Sequence, residues 1–254
     1  MLGTYGRSPE AAEPFIERHT QAKQHYDTAA AADIVADCTN ERVIDRLVDH
    51  LLGAGKVSRI VVPHPQFDVS TRSATGIPGV GNALPFALAA MVAAELGSEL
   101  DGEIIEIARP GRTKLRKFPR YLWQPCFSGE VFSDCAYILV DDVCTNGGTL
   151  SSLRSYIVRS GGTVIAATAL AHRNGLDQSL RISSETLFAL GQRFGIVPLD
   201  EFWLKEVGHG IKCITEGEGA GLLEWAEAEL DGSAGDFALQ RLGDRFAEAA
   251  AQAV

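Results

Sequence analysis

The chain has 254 residues, 46% of them apolar and 22% charged, with 33 acidic against 23 basic side chains and a formal net charge of -10. That balance excludes a disordered polyelectrolyte and, for want of a broad basic face, a general nucleic-acid binder. The five cysteines are odd in number, widely spaced and without a CxxC pair, which argues for reduced thiols in the cytoplasm and against a disulfide or zinc framework.

From the N-terminus onward, no apolar leader segment is evident, and residues 8 to 35 are Ala- and Glu-rich with helical character. "NERVIDRLVDHLLGAG" predicts a helix with Asn40 as N-cap, with Val43, Ile44, Leu47, Val48, Leu51 and Leu52 on one stripe and glycine after its end. "KVSRIVVPHPQ" predicts a strand over Arg59 to Val62 that stops at Pro63, and a loop of about twenty residues follows. "ALPFALAAMVAAELG" reads as a buried helix closed by Gly97; its apolar core is too short to span a membrane. "GEIIEIAR" predicts a second core strand, ahead of a long basic stretch without clear periodicity. A third strand, "YILV", leads through "DDVCTNGG" into a helix with Leu150, Leu153 and Ile157 inward and Gly161 at its end, then into the strand "TVIAATALAHR". Strands and helices alternating at this spacing predict βαβ units and a parallel sheet. Beyond Asn174 the chain becomes helical, with a capping box at Thr215 and Glu218 and an Ala-rich amphipathic helix from about Gly235. The predicted organisation is an N-terminal helical segment over 1–54, an α/β core over 55–175 and a C-terminal helical extension over 176–254.

Chemistry concentrates in "YILVDDVCTNGGTL", residues 137–150. Tyr137 to Val140 are apolar on both faces, as in a buried parallel strand, and Asp141 and Asp142 follow at its carboxyl end. Burying two carboxylates is costly unless something neutralises them, so they are expected to meet a ligand, a metal or water. In open parallel sheets ligands bind beyond the carboxyl ends of strands, and a turn entering a helix offers N–H groups and a positive dipole end to an anion. Gly147 and Gly148 let amides converge there, and Thr145 and Thr149 add hydroxyl donors. The turn suits a phosphate; the aspartates suit the vicinal hydroxyls of a sugar, or magnesium held through water. A sugar phosphate satisfies both.

The same stretch closely resembles the phosphoribosyl pyrophosphate (PRPP) signature of the type I phosphoribosyltransferases: apolar residues, two acids, two more apolar residues, then a small Thr/Gly turn. The resemblance implies an α/β fold, with a parallel-sheet type I phosphoribosyltransferase-like core and an added helical hood or tail. It implies a glycosyltransferase of the pentosyltransferase class in nucleotide metabolism. The activity would be magnesium-dependent transfer of the 5-phosphoribosyl group from PRPP to a nitrogenous base or related acceptor, with release of pyrophosphate. Asp141 and Asp142 would contact the ribose hydroxyls and hold Mg2+ through water, and Cys144, Thr145, Asn146, Gly147, Gly148 and Thr149 would bind the phosphate end of PRPP. Two positions depart from the usual pattern: Cys144 replaces an aliphatic residue and Asn146 stands where Thr, Ser or Ala is usual. Cys144 is expected to be a small buried hydrophobe rather than a nucleophile.

The family's pyrophosphate loop falls between the first strand and the following helix, where Arg72, Ser73, Gly81 and Asn82 are the candidates. Its mobile loop corresponds to "RPGRTKLRKFPR", which holds six of the 23 basic residues and no acid, leaving 17 basic against 33 acidic residues elsewhere. Arg116 and Lys117 are the catalytic candidates within it. His64 is expected to be a structural turn histidine, His172 and Arg173 to lie near the site without a catalytic role, and Trp203 and Trp225 to pack in the core. Thr145 stands where 6-oxopurine enzymes carry an Asp, and the double glycine is more like the adenine enzymes. The expected partners are PRPP, a nitrogenous acceptor and a second copy in a homodimer, with no nucleic acid and no membrane. The alternative from another class is a non-catalytic regulatory protein that binds a nucleotide or PRPP on the same fold.

Overall fold

The computed structural model describes residues 9–63, 81–108, 117–172 and 180–251, and it divides into two compact units. The first comprises residues 1–108, 126–144 and 153–174; the second comprises 109–125, 145–152 and 175–254.

The first unit is built on a four-stranded parallel sheet in the order β2-β1-β5-β6, with β1 at Val57–Val61, β2 at Glu99–Leu100, β5 at Cys135–Cys144 and β6 at Thr163–His172. The α/β class with a parallel sheet and added helices is therefore what the chain adopts. β5 runs between β1 and β6, and every residue from Cys135 to Val140 is buried, as its unbroken apolar run requires. Three helices, α2 (Thr28–Cys38), α3 (Glu41–Ala54) and α4 (Leu84–Leu96), contribute Val35, Leu47, Leu88 and Val92 to one core with Ile60, Ile138 and Val140. α1 (Pro9–Gln24) packs beside α2 through Phe15, Ala22, Ala31 and Ile34, against Leu84 at the start of α4.

Asn40 caps α3 by accepting from the Arg42 N–H, and Gly55 closes it. The single-stripe expectation holds only in part, since Leu47 is buried while Leu52 is 75% exposed. At about 100° per residue, Leu52 lies roughly 140° around the helix from Leu47, beyond the face that a sheet can cover.

The second core strand is also corrected. "IEIA" forms β3 (Ile105–Ala108), which pairs antiparallel with β4 (Cys126–Ser128) in a separate two-stranded sheet. The strand that pairs with β1 on the side away from β5 is the short β2 instead. Asp101 is the reason: its N–H bonds to the Ile60 carbonyl at 2.8 Å, and its side chain accepts from the N–H groups of Glu103 and Ile104, turning the chain out of the sheet.

The second unit is helical: α5 (Lys117–Leu122), α7 (Ser184–Phe194), α8 (Ile196–Val207), α9 (Glu216–Glu229) and α10 (Asp236–Ala251). Its core is aromatic. Trp203, Tyr121 and Phe118 are buried with Phe246, and Trp225 packs against them, which meets the expectation for both tryptophans. Thr215 and Glu218 form the expected capping box at the start of α9. α6 (Gly148–Arg159) follows β5 in the chain; Leu150, Leu153 and Ile157 along it are buried, as its pattern predicts.

Candidate functional site

In the first unit, the acidic pair sits in the last residues of β5, still laddered to β6, with Asp141 opposite Ala169 and Cys144 opposite His172. Successive residues of a strand point to opposite faces. Asp142 falls on the face of Ile138 and Val140 and is 7% exposed, whereas Asp141 is only partly buried. The Asp142 carboxylate is neutralised from within the protein. Its Oδ2 accepts from Lys23 Nζ at 2.6 Å and from Asn82 Nδ2 at 2.9 Å, and its Oδ1 accepts from the Val143 N–H at 2.9 Å. Asp141 Oδ1 accepts from the Asp142 N–H at 2.8 Å.

Burial by itself would push the Asp142 carboxyl upward. The charge of Lys23, with the hydrogen bonds from Lys23 and Asn82, outweighs it and holds the group below the ordinary carboxylate range. His19, one turn before Lys23 on α1, is lowered by burial and by the Lys23 charge, against an opposing pull from Asp142.

In the second unit, residues 145–147 form a bend and α6 starts at Gly148. Gly147 takes a left-handed φ of +76°, which a residue with a Cβ adopts only under strain, and its carbonyl accepts the Ser151 N–H at 2.8 Å as the helix begins. First-turn amides have no partner within their own helix, so the bend ends on a positive dipole. Two further segments of the unit meet it. Arg120 on α5 donates to Thr145 Oγ1 at 3.5 Å, and Thr215 donates its hydroxyl to the Asn146 carbonyl. Ser151 reinforces the second contact by donating to the Cys213 carbonyl at 2.7 Å. α5 is itself anchored, with Phe118 and Tyr121 buried and the Tyr121 hydroxyl donating to the Glu218 carbonyl at 3.0 Å. The end of the basic stretch is thus an ordered helix, where the sequence shows no periodicity.

Cys144 is buried at the end of β5, as expected of a small hydrophobe. Gly81 and Asn82 precede α4, and the Asn82 side chain is engaged at both ends, its amide by Asp142 and its oxygen by the Leu84 N–H at 3.1 Å. Arg72, Ser73 and Arg116 lie outside the described residues, as do His64 and Arg173; Lys117 opens α5, and only its backbone is described.

Among the described residues, no group of three or more His, Cys, Asp or Glu side chains could enclose a metal ion, and both aspartates already carry protein donors. Carboxylates already held by protein donors suit an ion that keeps its waters better than one they ligate directly. No helix among the described residues is long and apolar enough to cross a membrane.

The sequence patterns do not point to Lys23. The one available signal is that a buried carboxylate needs a counter-charge, and pattern alone does not say which of 23 basic residues supplies it.

No protein-family model matches the chain. The chain is 33% identical over 203 residues to Protein TraN of Escherichia coli, a match covering 80% of this chain and 42% of that protein. It is 35% identical over 78 residues to an uncharacterized protein of Haemophilus influenzae, covering 31% of this chain and 17% of the other. The chain therefore spans less than half the length of these curated relatives. Among solved structures it is similar to an adenine phosphoribosyltransferase, with a TM-score of 0.30 and 14% identity over 53% of this chain and 72% of that one.

Proposed function

We propose that the chain is a phosphoribosyltransferase that takes PRPP, carried with Mg2+, and moves its 5-phosphoribosyl group to a nitrogenous acceptor. Asp141 and Asp142 serve the ribose end of the substrate, and the segment that follows them, Thr145 to Thr149, serves the 5-phosphate. The observation that carries this reading is the Arg120 guanidinium held 3.5 Å from Thr145 Oγ1, at a bend that opens a helix. A cation, a hydroxyl and a helix N-terminus together make an anion site within one unit. The acceptor nitrogen bonds to the anomeric carbon as the bond to pyrophosphate breaks, through an oxocarbenium-like centre. The protein's work is therefore electrostatic, holding the sugar phosphate and excluding water, and no covalent nucleophile is needed.

Calorimetry with ribose 5-phosphate tests the anion site directly, because that ligand lacks the pyrophosphate. Arg120→Ala is expected to weaken its binding about tenfold to a hundredfold, the usual worth of a hydrogen bond to a charged group. Unchanged affinity in a normally folded variant would remove Arg120 from the phosphate site.

A second reading, binding of PRPP or a nucleotide without turnover, is favoured by one observation: Asp142 is already paired with Lys23. Pyrophosphate release separates the two.

A further inference from the structure

The two aspartates lie on opposite faces of one strand, and their surroundings differ. Asp142 is gripped by two side chains that arrive from distant parts of the chain, and backbone hydrogen bonds register those two side chains against each other. Lys23 stands between Ala22 and Gln24; Asn82 stands between Gly81 and Ala83. The Ala83 N–H donates to the Ala22 carbonyl at 2.9 Å, the Gly81 N–H to the Gln24 carbonyl at 3.4 Å, and the Tyr26 N–H to the Gly81 carbonyl at 3.2 Å. Gly81 accommodates this approach at φ +142°, a region that favours glycine. The end of α1 is thus tied, residue by residue, to the segment that opens α4, and the side chains between the ties converge on Asp142 Oδ2.

We infer that Lys23, with Asn82, is a positioning residue that fixes Asp142, so that the pair divides its labour and Asp141 is the carboxylate presented to the ligand. The N-terminal helices then belong to the acidic site. A carboxylate with both oxygens engaged and little exposure makes a poor acceptor for mobile hydroxyls, but it is a firm anchor for the strand end that carries its neighbour. The inference rests on the ribosyl reading for the identity of the ligand and on the ion pair alone for the clamp.

The test combines thermal unfolding without ligand and calorimetry with Mg2+ and PRPP, on Lys23→Met, Lys23→Arg, Asp142→Asn, Asp141→Asn and the Lys23→Met/Asp142→Asn double variant. Lys23→Met and Asp142→Asn should each lower Tm by about 3–8 °C, and the double variant should fall no further than the worse single one. Asp141→Asn should lower Tm less than either of these variants. Lys23→Met should weaken PRPP binding about tenfold, and Lys23→Arg should restore most of it, because the charge returns. Additive losses of Tm would overturn the clamp. A destabilised Lys23→Met protein that binds PRPP as tightly as wild type would overturn the positioning role. If the wild-type protein binds no PRPP, the ribosyl reading fails on its own, and the coupling in Tm still decides whether Lys23 clamps Asp142.

Discussion

Replacing Asp141 by Asn is expected to lower affinity for PRPP, and turnover with it, by about one to two orders of magnitude while leaving the fold in place. A carboxylate that accepts hydrogen bonds from a sugar contributes on the order of 1.5–3 kcal/mol per charged hydrogen bond. The amide keeps the shape and one acceptor oxygen, but it loses the charge. The backbone consequence is small, because the contact that Asp141 Oδ1 makes with the Asp142 N–H can be kept by the oxygen of an Asn. Isothermal calorimetry with Mg2+ and PRPP, set beside thermal unfolding, reads both quantities. A variant with wild-type affinity would place the ribose elsewhere.

Trp203→Ala is expected to be the most damaging single change to stability. Trp203 is completely buried, and its ring lies 5.2 Å from that of Tyr121 and 5.5 Å from that of Phe246, both in edge arrangements. Removing a large aromatic side chain from such a core costs about 3–5 kcal/mol, through lost transfer energy and the cavity left behind. In a protein of this size that corresponds to a fall in Tm of roughly 6–20 °C. The consequence extends to the proposed anion site of the same unit. Tyr121, which meets Trp203, sits on α5 next to Arg120, so a loosened core should also weaken ribose 5-phosphate binding. Scanning calorimetry would detect the first effect, and a loss of Tm below about 4 °C would mean that the cluster repacks.

Local chemistry makes much of this architecture legible in the sequence. Asn40 before a helix and Thr215 with Glu218 before another are side chains that hydrogen-bond their own backbone, and both caps form as their spacing predicts. The buried run from Tyr137 to Val140 needs no long-range information, because continuous branched apolar residues suit a strand covered on both faces. β3 fails that test for a specific reason: its apolar residues fit any strand, and the turn at Asp101 decides which sheet receives it.

The site is legible in its motif and not in its support. Asp141, Asp142 and the bend after them are contiguous, so the sequence shows them together. Lys23 is separated from Asp142 by 119 positions, and within its own helix it is only a lysine in a last turn, a place where any cation complements the dipole. Thr215 likewise reads as a helix cap, while its hydroxyl also donates to the Asn146 carbonyl in the bend before α6. One side chain serving two purposes shows only the local one to a sequence pattern.

The most direct test of the whole account is pyrophosphate release from PRPP in the presence of Mg2+, with a panel of nucleobases and without any base. Release should depend on one or a few bases and fall by at least about tenfold in Asp141→Asn and Arg120→Ala. Folded wild-type protein that releases no pyrophosphate with any base, or that releases it equally in both variants, would contradict the assignment of this site as the seat of phosphoribosyl transfer.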